Sequence, residues 1–421
     1  MAGRFPVLAG RSHLRGQQRD PAQHHRSAHA GSAQILIGRE TTMDFTFTED
    51  QIAFRDSISR FLMTEAAPEL LRDIWETPTG RSPELWAKIA EQGLMGLSAP
   101  EADGGMGMAD VDWALLLQEV GYYALPDSLT DTAYVAVGML CALPQGHESR
   151  VWLSRIAAGS CRVAVGHPVN LNVADAALAD VLLLPHATAT GLELHLVRPA
   201  QCEITALSSI DSSRRLSRVR WTASDATRLL DGTQGQKVWD TAGERGALAA
   251  AAQMLGLAQR MLDLSVDYVA QRKQFDKVIG SFQAVQHHLS DIVTKIEFAK
   301  PVLYRAFYAL QHGEPDLAVR ISHAKLQCSE ASWFAARHSL QVHGAMGYTW
   351  EVDLQMFMKR AWVLDAAWGD KAYHAARLTQ GLLRSPNAPV GPGSTFDREI
   401  DSCASCSAQD AIKNVAEEVA A

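Results

Sequence analysis

The chain has 421 residues, 47% hydrophobic and 20% charged. These are the proportions of an ordinary globular protein, which excludes global disorder, a fibrous repeat and a mini-protein and leaves room for roughly two to four domains. The formal net charge is -8, from 39 basic and 47 acidic residues, and no Lys/Arg cluster marks a phosphate-tracking surface, so nucleic acid is not an expected partner. Even the alanine-rich run from Ala247 is broken at Gln253, Gln259 and Arg260, short of the ~18 apolar residues a bilayer crossing needs, and a soluble protein is expected.

Residues 1–42 carry Arg at 4, 11, 15, 19, 26 and 39 with almost no acid or apolar periodicity, and do not read as a domain. The apolar core of a secretory signal is missing. An organelle presequence and an upstream start codon both account for the stretch. The second is favoured, because Met43 begins Met-Asp-Phe-Thr-Phe-Thr-Glu-Asp-Gln, a strand-like lead into a helix cap.

From 43 to 159 the pattern is helical. Thr48 with Gln51 three residues on is a capping-box signature, and Ile52, Ile58, Phe61 and Leu62 follow at helical spacing. Pro83 opens a second helix with Leu85, Trp86 and Ile89, a glycine-bearing loop runs from Pro100 to Gly107, and Val111 to Tyr123 reads as a third helix. From 160 to 240 short strand-like runs replace helices, at 162–166, 180–185, 192–197, 203–207 and 216–222. No G-x-G-x-x-G follows a strand, so a small β-barrel is expected rather than a dinucleotide-binding Rossmann domain.

From 241 to 384 long helices return, the first read as starting at Gly246. Leu248, Ala252, Leu255, Gln259, Leu262, Val266 and Val269 share one side of it. Stripes from Phe282 to Val302, from Ile321 to Phe334 and from Leu354 to Leu364 complete an expected four-helix bundle, and the overall class is α+β. Beyond Ser385 the chain is Pro/Gly/Ser-rich and then weakly helical, a loose tail. The six cysteines, at 141, 161, 202, 328, 403 and 406, are too sparse for a disulfide framework, which fits a reducing, cytoplasmic setting. Cys403 and Cys406 form a C-x-x-C without a second pair, and no metal site is expected.

Two segments exceed what packing requires. One is Arg272-Lys-Gln-Phe-Asp-Lys-Val-Ile-Gly-Ser-Phe-Gln283, the other Gln341-Val-His-Gly-Ala-Met-Gly-Tyr-Thr-Trp-Glu351. Taken singly, Arg272 and Lys273 serve as helix C-terminal cations and Gly344 and Gly347 as left-handed caps. Taken together, behind a helical and then a β region, they resemble the acyl-CoA dehydrogenase family, over roughly Met43 to Leu382. The Pro100–Gly107 loop and the Glu119-Val-Gly-Tyr helix end look like that family's N-terminal domain.

The resemblance implies that FAD is the cofactor, its pyrophosphate and adenosine half held across a subunit junction. Arg272 would be the diphosphate cation, Gln274, Phe275, Phe282 and Gln283 would line the cofactor, and Gln341, Gly344 and Ala345 would complete the cleft. Ala345 stands where relatives carry a second glycine. The implied reaction is α,β-dehydrogenation of an acyl-CoA thioester, with an electron-transfer flavoprotein as acceptor and a homo- or hetero-oligomer as the working form.

That reaction needs a carboxylate to remove the α proton. One family seat for it lies before a glycine at the end of the fourth helix, and this chain has Trp368 there. The other lies on the helix opening the bundle, and here Ala251-Ala-Gln-Met-Leu-Gly256 places Gln253 in it. An amide cannot accept that proton. Asp370 and Glu244 remain as candidate bases, with Asp365 behind them. Each also has a plainer reading as a capping or solvated carboxylate, Glu244 as a first-turn acid. The middle region lacks the flavin-contacting segments typical of relatives and has His167-Pro-Val-Asn-Leu-Asn instead. Three readings follow: a catalytic acyl-CoA dehydrogenase, a non-catalytic subunit that donates half a flavin site to a partner, and a structural helical assembly protein without cofactor.

Overall fold

Thr48 opens the first helix as a reciprocal cap: its hydroxyl accepts from the Gln51 amide at 3.2 Å, and the Gln51 side chain accepts from the Thr48 amide at 2.9 Å. The computed structural model describes residues 46–126 and 128–383. The 1–42 extension, the start at Met43, the tail from 385 and the Cys403/Cys406 pair lie outside the described residues. The N-terminal region contains α1 (Glu49–Glu65), α2 (Pro68–Glu76), α3 (Pro83–Glu91) and α4 (Asp112–Tyr122). A π-helical segment, Thr130–Ala136, runs into α5 (Val137–Cys141), and α6 (Val151–Ala157) follows.

The middle region holds β1 (Val163–Val165), β2 (Val173–Ala174), β3 (Val181–Thr188), β4 (Gly191–Val197), β5 (Glu203–Leu207), β6 (Leu216–Arg220) and β7 (Arg228–Leu230). The five expected runs are all strands, but the expected barrel does not close. The strands form two open sheets, ordered β1-β3-β4-β7 and β2-β6-β5. The linking candidates β2 and β7 have only two and three residues, too few ladder bonds to join one sheet to the other.

The C-terminal region contains α7 (Gly232–Gln271), a hairpin of β8 (Lys273–Gln274) and β9 (Lys277–Val278), then α8 (Gln283–His312), α9 (Leu317–His343), α10 (Leu354–Ala366) and α11 (Lys371–Leu383). Five helices therefore stand where four were expected. The first begins at Gly232 rather than Gly246, capped by Asp231, whose carboxylate accepts from the Gln234 amide at 2.9 Å. It crosses the expected boundary at 240/241, so Glu244 is a helix-interior residue and the first-turn dipole reading of it falls. Among the described residues, no helix is long and apolar enough to cross a membrane.

One apolar core runs through both helical regions. At its centre α4 and α7 cross backbone to backbone. A Cβ on Gly121 would stand 2.1 Å from the Gln253 carbonyl oxygen, and one on Gly256 would stand 1.9 Å from that of Gln118. Only glycine permits that crossing, and it places Gln253 against the N-terminal region.

Candidate functional site

The two motifs meet at one end of the bundle. α7 and α9 run in the same direction, since the Ser339 hydroxyl donates to the Met261 carbonyl at 3.1 Å and, further along, the Tyr268 and His343 rings stack at 4.4 Å. The Arg272 cap of α7 and the Gly344 turn after α9 thus emerge side by side. Arg272 is exposed and forms no ion pair with any described residue. Gln274, Gln283, Gln341 and Ala345 are exposed as well.

Phe275 and Asp276, with φ of 52° and 62°, make the tight turn of the β8–β9 hairpin and hold the Phe275 ring 84% exposed. That ring meets half-buried Phe282 edge-on at 6.2 Å. Gly344 has φ 60° and ψ -140°, a conformation restricted to glycine, and a Cβ there would meet nothing within 4 Å. The requirement at 344 is conformational, and the space beside it is open. Buried His343 donates from Nδ1 to the Ser339 carbonyl at 2.8 Å, and its Nε2 has no partner among the described residues.

Gln253 and Trp368, the two residues expected from the sequence to stand where relatives carry the base, line one cavity of about 20 Å³ with Ser128, Thr130, Asp131, Arg214, Ala250, Arg360 and Leu364. That volume suits a single water, not an acyl chain. The Gln253 amide donates to the Thr130 hydroxyl at 3.3 Å and the Ala249 carbonyl at 3.2 Å. The Trp368 indole fits because Gly246 lies opposite, where a Cβ would stand 2.1 Å from the ring.

The Trp368 backbone is clamped. Its amide donates to Asn170 Oδ1 at 2.7 Å, and its carbonyl accepts from His374 Nε2 at 3.0 Å. Just upstream, the buried Lys325 ammonium donates to the Leu364 and Asp365 carbonyls, each at 2.9 Å, and so caps the end of α10. Burial brings that ammonium down to about 8, against the pull of Asp365.

The candidate bases are elsewhere. Glu244 is buried and paired with Arg377. Exposed Asp370 accepts from the Tyr373 amide at 2.8 Å as the cap of α11. Asp365 accepts from the Ser329 hydroxyl and from the Trp333 indole, the latter at 3.0 Å. None of the three lines the cavity. The carboxylate that does is Asp131, 7% exposed, on the π-helical segment. Burial pushes its pKa above the usual carboxylate range, with Arg214 pulling the other way. No local motif announces Asp131, which sits between two threonines.

His374 supplies a pH test of the clamp. Fully buried, it donates from Nε2 to Trp368 and accepts at Nδ1 from the Ser322 hydroxyl at 3.2 Å. Burial, and next the Lys325 charge, lower its pKa to about 4. A folded value below the unfolded one of about 6.5 means the stabilisation is complete above that pH and is lost as pH falls towards 4, a loss of ~2–3 kcal/mol. Melting temperature should fall over this window, and His374→Gln should show a flatter profile. Parallel profiles would show that another group carries the transition.

The helical, sheet and helical regions in this order form a flavin-dehydrogenase type of architecture, with the Arg272 and Gly344 turns side by side at one bundle end. The chain belongs to the acyl-CoA dehydrogenase family. Residues 48–160 match the model of the acyl-CoA dehydrogenase N-terminal domain and residues 233–383 that of the C-terminal domain. Acyl-CoA dehydrogenase IpdE2 of Mycobacterium tuberculosis is 30% identical over 74% of this chain and 91% of its own length. Among solved structures, the ChsE4–ChsE5 complex from the same organism superposes with a TM-score of 0.73 at 22% identity, over 82% of this chain and 100% of that one. Butyryl-CoA dehydrogenase from Megasphaera elsdenii gives 0.71 at 21%, over 81% and 100%.

Proposed function

We propose that this chain is a subunit of an FAD-dependent acyl-CoA dehydrogenase, lending its nucleotide-binding end to a flavin shared with a partner chain that carries the base. The observation behind this reading is the cavity of about 20 Å³ in which Gln253 and Trp368 occupy both family seats for that base. FAD, when bound, would accept the hydride leaving the β carbon of the acyl thioester. The residues at the bundle end fit its nucleotide half. Arg272 offers a planar cation with no ion-pair partner among the described residues, able to grip two phosphate oxygens. Phe275 offers an exposed stacking face, Gly344 a backbone that a phosphate can approach, and Gln274, Gln283 and Gln341 offer amides.

A partner chain also accords with the likeness to a structure that is itself a complex, that of ChsE4 with ChsE5. The electrons would pass on to an electron-transfer flavoprotein. A second reading has one observation in its favour: buried Asp131 faces the cavity and could act as the base of a self-sufficient enzyme.

The test is purification alone and after co-expression with a homologue that retains the carboxylate. The expected result is little FAD on the chain alone and stoichiometric FAD on the mixed assembly. Stoichiometric flavin and thioester oxidation by the chain alone, abolished by Asp131→Asn, would replace the first reading with the second. In the mixed assembly, Arg272→Ala should cut FAD content by half or more. It should leave the melting temperature nearly unchanged, because a helix-end cation contributes only ~0.3–1 kcal/mol to stability. Equal flavin in variant and wild type would remove Arg272 from the site.

A further inference from the structure

Outside the cavity, the β3–β4 hairpin gathers three metal-ligating side chains. His186 on β3 pairs in register with Glu193 on β4, and His195 lies two residues further along β4, on the same face. His186 Nδ1 is 2.9 Å and His195 Nε2 3.1 Å from the same carboxylate oxygen, Glu193 Oε2. One ligand atom from each of the three residues lies within 4.8 Å of the others. Separations near 3 Å are those of neighbouring ligands whose bonds to a shared ion are ~2.0–2.2 Å long.

The hydrogen bonds around His195 accommodate the ligating tautomer. The Thr227 hydroxyl lies 2.9 Å from the Ser224 carbonyl and 3.0 Å from His195 Nδ1. With its proton on the Ser224 carbonyl it accepts from Nδ1–H, and Nε2 turns a lone pair towards Glu193 Oε2 at 3.1 Å; with its proton on Nδ1, Nε2–H donates to that oxygen instead. A cation between Nε2 and the carboxylate selects the first arrangement, with Thr227 as the outer partner of a ligand ring that is 1% exposed. Arg228 reaches the other oxygen, Glu193 Oε1, at 3.4 Å and leaves Oε2 to the ion. His186 is the solvent-facing ligand, its side chain 48% exposed, which provides access and a place for water.

We propose that His186, Glu193 and His195 bind one divalent transition-metal ion, zinc foremost, that braces the β3–β4 hairpin. Two imidazoles and a carboxylate match zinc's ligand preferences. The inference does not depend on the flavin reading.

The test uses the full chain, stripped with a chelator and titrated with zinc against a chromogenic chelator. One zinc per chain, with a dissociation constant in the micromolar range or tighter, is expected. His186→Ala and Glu193→Gln should each weaken binding at least tenfold, and Thr227→Val by ~10–100-fold. His186 is exposed, so its variant should keep the metal-free melting temperature and remain interpretable if the buried variants misfold. Cobalt in the same site should give a weak visible d–d band without a thiolate charge-transfer band. Absence of stoichiometric zinc, retention unchanged in both His186→Ala and Glu193→Gln, or a thiolate band from cobalt would each overturn the proposal.

Discussion

Arg360→Ala should lower the unfolding free energy by about 3–5 kcal/mol, among the largest losses for a single polar substitution in this chain. Arg360, on α10, ties all three regions together. Its guanidinium donates to the Asp211 carboxylate and the Ser213 hydroxyl of the middle region, and to the Leu125 carbonyl after α4, the last at 2.9 Å. Asp211 is fully buried, and also accepts from the Ser213 amide at 3.0 Å and the Ser213 hydroxyl at 2.6 Å. Burial by itself would push its pKa up. Arg360 and Ser213 outweigh that and hold it below the ordinary carboxylate value.

Removing the guanidinium strands a buried charge, so the cost is mostly the desolvation of Asp211. The sign with pH follows. In wild type the carboxylate's contribution is present above its unfolded pKa and is lost as pH falls through the lower folded one. In Arg360→Ala the unpaired carboxyl takes up a proton more readily, so the stability gap should narrow as pH drops towards about 4. Urea unfolding at neutral and acidic pH would show it, and Arg360→Ala/Asp211→Asn should recover part of the loss. An unchanged midpoint at neutral pH would mean the pair contributes nothing net.

The same ion pair illustrates what can and cannot be read along the chain. Arg360 and Asp211 are 149 positions apart, and nothing near either announces the other. Local signals were legible wherever one short segment carries the physics. The Thr48 capping box, the strand over Leu192–Val197 and the Arg272–Gln283 turn lie in the structure where the residues suggest. The start of α7 was not legible, because Gly232, Gly235 and Gly243 dilute its apolar pattern and carry the poorest helix propensity short of proline. Tertiary packing against β4 and His167 stabilises those turns regardless, with the Trp239 indole donating to the Glu193 carbonyl at 3.0 Å. The convergence of Gln253 with Trp368, and the presence of Asp131 beside them, belong to the fold alone, since the three lie on different elements. The His186–Glu193–His195 cluster depends on hairpin register plus Thr227, which a search for C-x-x-C or closely spaced histidines passes over.

Gln253→Glu, made together with Trp368→Ala in a flavin-loaded assembly whose partner has had its own catalytic carboxylate replaced by an amide, should confer thioester-dependent bleaching of the flavin absorbance, raising the rate ~10²–10⁴-fold over the same base-less assembly without the two substitutions. Position 253 is held in place by the close α4–α7 crossing and faces a cavity with room for about one water. What it lacks is proton affinity, since the present amide donates to Thr130 and Ala249 and cannot take a proton at neutral pH. A carboxylate there would accept from the Thr130 hydroxyl but face the Ala249 carbonyl without a donor. Burial and that carbonyl would raise its pKa, and Arg214 and Arg360 on the cavity wall would oppose the rise.

The accompanying alanine matters because, with the indole of Trp368 on its wall, the cavity beside Gln253 is about 20 Å³, too small for an acyl group. Its removal should cost ~3–5 kcal/mol of stability, so the melting temperature of the double variant has to be followed alongside activity. A flavin-independent readout separates the base from the rest of the site: exchange of the α proton of a saturated acyl-CoA in deuterated water, faster in the double variant than in Trp368→Ala alone. A folded double variant with neither exchange nor bleaching, for short, branched and bulky acyl groups alike, would show that position 253 is not where the proton leaves.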